Sequence, residues 1–250
     1  MSMKRVEDPA ALLAWLAGRP EHETHTGYAP AGWGASTWIL HAMYENASHA
    51  GRGTHHEVRR RGLESGDLAP LIVGGVDLDD GTIDTGTPLG FVVRPGSAWR
   101  RVLWSQQPGQ APDPRYPPCH RWFPHQSWPV AVQPPPEGSL DEESLTALLD
   151  TLCRHSVDGS GTDCVAFFAS LPANDYDHVH VWRGPLSAVP ELLEERGGSY
   201  LFSPTNLWPT DRSWFVWTDY DLQGTRVSGP TPLIEAVRSN PVLETVDWPG

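Results

Sequence analysis

Cysteine is scarce in this 250-residue chain, which carries only Cys119, Cys153 and Cys164. An odd number with no C-x-x-C pair argues against a disulfide framework and against a cysteine-built zinc site. Reduced thiols suit a cytoplasmic chain. Long apolar runs are scarce as well: none approaches the roughly 18 residues that a bilayer-spanning helix needs, so no membrane partner is expected. The first twenty residues hold Lys4 and Arg5 but then Glu7 and Asp8, and the apolar run over 10–17 is too short for a convincing signal peptide.

Positive charge is the third shortage. Against 31 Asp and Glu stand 18 Lys and Arg, a net charge of −13, which argues against sequence-independent binding to nucleic-acid phosphates. A basic protein partner would suit such a surface, although acidity also serves solubility. Three motifs are missing too: G-x-x-x-x-G-K-[ST], G-x-G-x-x-G before a helix, and G-x-S-x-G. ATP, dinucleotide and α/β-hydrolase chemistry thereby lose their usual support, and no cofactor is predicted.

Tryptophan is plentiful, at twelve residues, and so is proline, at 25. The prolines punctuate loops, with one run at Pro134–Pro136, so the chain reads as globular with many irregular connections. The segment 203–240 organises the rest. Ser213 to Thr218 is aromatic and β-branched enough to be a strand, Asp219 to Gly224 is turn chemistry, Thr225 to Val227 resumes as strand, and Pro232 to Ser239 reads as a helix. Trp208, Trp214 and Trp217 sit inside it, and a buried ring of that size covers roughly 150–250 Å².

W-P-x-D-R-S-W followed by T-D-x-D-x-x-G-T-x-V-S-G, S-T-W-I-L-H-A-M-Y-E near the start and C-H-R-W-F-P in the middle resemble a family of uncharacterised actinobacterial proteins over nearly the whole chain. The family implies no catalytic assignment. The C-terminal part also resembles segments of small proteins that accompany secreted bacterial toxins as immunity partners, which implies a protein ligand.

Along the chain, Pro9 to Gly18 reads as a short amphipathic helix, and Ser36 to Asn46 as a second one with Ser36 as N-cap. Thr54 and Glu57 have capping-box spacing at the start of a third. Ala98 to Trp104 and Trp128 to Gln133 read as strands. Ser139 is expected to cap a long helix through His155 with Leu145, Leu148, Leu149 and Leu152 as its buried stripe. Cys164 to Ser170 and His178 to Trp182 read as strands, and Leu186 to Arg196 as a helix stopped by Gly197-Gly198. The expected fold is α+β, a largely antiparallel sheet with helices packed on one face and an N-terminal helical portion. The expected organisation is an N-terminal part over 1–105, a Pro- and Gln-rich linker over 106–118 and an α+β part over 119–250, or one continuous domain.

Histidine offers the chemistry, with eleven residues. His41 and Glu45 would share a helical face, with His55, His56 and Glu57 close behind; imidazole and carboxylate in that proximity could hold a divalent metal for an enzyme acting on a small molecule. Capping accounts equally for Glu57. His178 and His180 alternate along the next expected strand and offer two further ligands, against a solvent-facing strand edge as the plainer account. Cys119 beside His120 and near His125 is a candidate nucleophile, or a small buried hydrophobe. Asp211, Arg212, Asp219 and Asp221 surround the hairpin, where the aspartates serve either an acidic pair or Asx turns, and Arg212 is expected to answer a carboxylate.

The leading expectation is an acidic cytoplasmic protein that binds another protein, as an immunity or accessory factor. Trp208, Asp211, Arg212, Trp214, Trp217, Asp219 and Asp221 are its candidate contacts, since tryptophan is favoured at interface hot spots.

Overall fold

The C-terminal hairpin forms where its residue pattern places it. A computed structural model describes residues 2–16, 27–70, 72–73, 76–77, 83–107, 113–122 and 127–248. In chain order its first strands are β1 (Lys4–Arg5), β2 (Ala35–Leu40), β3 (Met43–Glu45), β4 (Ile72–Val73), β5 (Val76–Asp77), β6 (Arg100–Val102) and β7 (Val132–Gln133). The rest are β8 (Asp163–Phe168), β9 (His180–Pro185), β10 (Asn206–Pro209), β11 (Phe215–Thr218), β12 (Gly224–Gly229) and β13 (Glu244–Val246). The α-helices are α1 (Ala10–Leu13), α2 (His55–Ser65), α3 (Glu142–Arg154), α4 (Ser170–Ala173) and α5 (Thr231–Arg238). The protein is therefore α+β.

Eight strands form one sheet in the order β1-β9-β8-β10-β11-β12-β2-β13, and every neighbouring pair is antiparallel. The β11–β12 hairpin lies in its middle, with Phe215 opposite Ser228 and Thr218 opposite Thr225. Alternation along β8 shows how the sheet divides two cores. Cys164, Ala166 and Phe168 join the cluster under α3 and α5, with Leu148, Leu152, Ile234, Val237 and Trp214. Val165 and Phe167 face the opposite side, where Trp208 and Phe215 meet the N-terminal segment of Leu12, Leu13, Trp15 and Leu16. The two long sheet-covering helices thus share one face, and among the described residues the other is covered by the short N-terminal turns together with Tyr28 and Trp33.

A smaller sheet, β6-β3-β7, stands against this body. Its core gathers Leu40, Met43, Val102, Trp104, Trp122 and Val132. Asp141 and Arg101 tie the two parts together. The buried Asp141 carboxylate accepts from Arg101 Nε at 3.1 Å and from the Tyr44 hydroxyl at 2.9 Å, while the same guanidinium donates to Ser144 Oγ at 2.6 Å and Val242 O at 2.8 Å.

Several expectations need correction. Residues 36–46 are β2 and β3, not a helix: Thr37, Trp38, Ile39 and Leu40 are all buried because β2 is covered on both faces. A strand buried on both faces shows no alternation. Residues 186–196 form 3₁₀ turns, with Pro190 inside them, where the missing N–H interrupts an α-helical ladder. Asp141, not Ser139, stands at the N-cap of α3, and Ser139 is buried against Ser203 at 2.9 Å. The expected Trp128–Gln133 strand narrows to β7, and β10, where no strand was expected, is a fully buried inner strand. Thr54 and Glu57 form the expected capping box on α2. Residues 108–112 of the expected linker lie outside the described residues, as do His125 and the side chain of His120.

Candidate functional site

The hot-spot reading of tryptophan fails on packing. None of the twelve is exposed: Trp208 and Trp214 are among the largest fully buried side chains, and Trp217 is half-buried against Trp38 at 5.6 Å. Trp214 Nε1 donates to Ser156 Oγ at 2.9 Å, so its polar end is satisfied inside the core. Around the hairpin the aspartates shape turns, Asp211 Oδ1 accepting from Ser213 N–H and Asp219 Oδ1 from Asp221 N–H. Arg212, expected to answer a carboxylate, instead lies over the Trp15 ring at 5.0 Å, and its left-handed backbone, at φ 59°, turns the chain from β10 into β11.

The first histidine group does not assemble. His41 is fully buried, with Nδ1–H donating to Pro136 O at 2.6 Å and Nε2 paired with Thr225 Oγ1 at 3.0 Å. Burial pulls its pKa down to about 4, which fixes a neutral ring that accepts from Thr225. Glu45 instead pairs with Arg100 at 2.6 Å. His55 donates to Val132 O at 3.0 Å, and His56 Nδ1 accepts from the Asp84 N–H at 3.3 Å. Cys119 is buried, and burial pushes its thiol up, against the activation a nucleophile needs. Among the described residues, no group of three or more His, Cys, Asp or Glu side chains is set out to hold a metal ion.

The second group does come together, on Asp175. Helix α4 ends at Asn174 in the left-handed region, φ 50°, which turns the chain back so that the Asp175 carboxylate collects its own loop. It accepts from the N–H of Asp177 at 3.0 Å, from His178 Nδ1 at 3.0 Å and from His180 Nε2 at 2.9 Å. The other nitrogen of His180 meets the Tyr200 hydroxyl at 2.7 Å, and that hydroxyl accepts from Trp182 Nε1 at 2.9 Å. With the indole donating, the phenol hydrogen is available to His180 Nδ1, and His180 Nε2–H serves Asp175. His180, and then the Asp177 N–H, hold the Asp175 carboxyl well below the usual carboxylate range. Tyr200 stacks on Phe168 at 3.6 Å, and burial raises its phenol. Since β9 starts at His180, His178 lies in the preceding loop, and the carboxylate rather than strand alternation unites the two rings.

Asp175 thereby fixes the loop that presents Tyr176 and Val179, 64% and 51% exposed. Tyr176 lies close enough to Tyr220 to contribute to the rise of its phenol pKa, behind burial and Asp221. Tyr220 packs on Phe202 at 5.4 Å, and Gly138 makes this approach: a Cβ there would stand 2.9 Å from both the Phe202 ring and Tyr220 O. Beside it Glu137 is half-buried, its carboxyl raised by burial and then by Asp221. Glu137 bridges to Leu89, and Gly90 abuts Leu201; both leucines are exposed. Exposed Tyr176, Leu201 and Leu89 thus lie about Tyr220, Phe202 and Glu137, with Asp221 close to both Tyr220 and Glu137. Of the sequence candidates only Asp219, Asp221, His178 and His180 belong to this surface or adjoin it. Tyr176, Leu201, Leu89 and Glu137 come from separated stretches, and no local pattern announces their meeting.

No protein-family model, no curated protein and no solved structure matches this chain.

Proposed function

We propose that this protein works by binding another protein, and that a basic partner docks on the surface formed by Tyr176, Leu201, Leu89, Glu137 and Asp221. One observation carries the reading: Tyr176, Leu201 and Leu89 are exposed on a surface that also holds Glu137 and Asp221, in a chain whose net charge is −13. Apolar atoms supply burial on association, while the carboxylates favour lysine- and arginine-rich surfaces and steer their approach. The role of a cytoplasmic accessory or immunity factor, and kinship with the actinobacterial family, belong to this same proposal and rest on the quoted motifs.

The test is a pull-down at low salt from an extract of the source cells, comparing the unmodified chain with a Tyr176→Ala/Leu201→Lys double variant of unchanged melting temperature. A stoichiometric partner retained by the first, lost by the second and released as salt rises supports the reading. Equal retention by both, or no retained protein, removes it.

A further inference from the structure

On the sheet face opposite α3 and α5, strands β11, β12 and β2 set six side chains in two short rows. Phe215, Ser228 and Ser36 are direct ladder partners along one row, and Trp217, Arg226 and Trp38 along the next. Direct partners in an antiparallel ladder project from one face, and the rows touch where Arg226 Nη2 donates to Ser36 Oγ at 3.3 Å. The indoles of Trp38 and Trp217 meet at 5.6 Å, and Trp33 packs on Phe215 at 5.5 Å. A polar centre of one guanidinium and two hydroxyls thus lies between aromatic side chains.

The charge in that centre has no counter-ion. Arg226 is half-buried, and none of the ion pairs among the described residues includes it. Its Nε is buried without a hydrogen-bond partner. Burial alone lowers the pKa of the guanidinium, with no described carboxylate close enough to offset the loss of water. Nor does a ring take the charge, since the guanidinium groups set over described rings are those of Arg115, Arg121 and Arg212. The two hydroxyls beside it keep hydrogens to give: Ser36 Oγ accepts from Arg226, and neither Ser36 nor Ser228 donates to another described group. An unpaired, partly desolvated cation opposes stability. In a chain with 31 acidic residues, such a local conflict is expected where a site has been kept for something else.

We infer that Arg226, Ser36 and Ser228 bind the carboxylate of a small aryl carboxylic acid, whose ring rests against Trp33 and Trp217. One uncompensated positive charge matches one negative charge, and a planar carboxylate accepts from a guanidinium edge and a hydroxyl together. Trp33 and Trp217 are both half-buried, which leaves part of each indole for an offset or edge-to-face contact with the ligand ring. The site shares no residue with the docking surface of Tyr176, Leu201 and Leu89, so either assignment stands or falls without the other.

Isothermal titration of the whole protein at low salt with benzoate, benzyl alcohol, benzylamine and inorganic phosphate tests the inference. Benzoate is expected to bind with a dissociation constant below about 1 mM, benzyl alcohol and phosphate at least about tenfold more weakly, and benzylamine not at all. Arg226→Met is expected to abolish benzoate binding while raising the melting temperature of the free protein, because it removes an unpaired, partly buried cation. Ser228→Ala is expected to weaken benzoate about tenfold with the melting temperature unchanged, and it decides the matter should Arg226→Met not fold. Absence of benzoate binding at about millimolar concentration overturns the inference, as does equal binding of benzylamine or phosphate, or undiminished binding by either folded variant.

Discussion

His41 carries a proton question into the centre of the molecule. Its Nδ1–H is spent on Pro136 O, its Nε2 accepts from Thr225, and Thr225 in turn pairs with Thr218 Oγ1 at 2.7 Å. Every one of these groups is buried, so a charged ring has no solvent and no counter-ion in contact. With its pKa lowered from 6.5 to about 4, the ring binds its proton in the unfolded chain before it does in the folded one. Stability from this residue is therefore complete above pH 6.5 and is lost as pH falls towards 4, by roughly 3 kcal/mol. Urea unfolding across that window should show this slope, and His41→Gln should flatten it while lowering stability at pH 7 by about 1–3 kcal/mol. An unchanged slope in the variant would assign the acid sensitivity elsewhere. Asp175 acts on the same side of the pH scale. Its depressed pKa contributes stability that is present above the ordinary carboxylate range and fades below it. Asp175→Asn should therefore raise amide exchange over 174–179 more than elsewhere, because the loop loses the acceptor that collects it.

Among the elements, the hairpin and α5 bring Trp214, Val216, Val227, Ile234 and Val237 to the larger core, against the leucines of α3. Trp214→Ala should cost about 3–5 kcal/mol in chemical denaturation. The junction between the two sheets depends on charge instead. Arg101→Met leaves the Asp141 carboxylate, fully buried, without its cation, and a loss of about 3–5 kcal/mol is expected; a loss below about 1 kcal/mol would show that Tyr44 and Ser144 suffice. The hairpin was legible because Trp, Phe and Val precede an Asx turn and a glycine, each level of pattern agreeing with the next. Strand β2 was not legible, since burial of Trp38 and Ile39 in succession mimics one face of a helix. Nor was β10, because Pro204 just before it and Pro209 at its last position read as loop punctuation. The docking surface joins residues from 89 to 221 and depends on tertiary packing alone. Only its turn aspartates could be read locally.

For the molecule as a whole, two properties separate. The tryptophans hold the body together, and among the described acidic residues all but Asp141 reach the surface. A chain of net charge −13 gains association rate from a basic partner, and the gain falls as salt shortens the Debye length below about 10 Å. The most direct measurement is amide hydrogen exchange on the complex recovered by pull-down, set against the free protein. Slowed exchange is expected over 89–92, 174–179, 200–202 and 219–222, with the Trp214 side of the sheet unchanged. Protection confined to other segments, or none at all, would contradict docking on the Tyr176 and Leu201 surface.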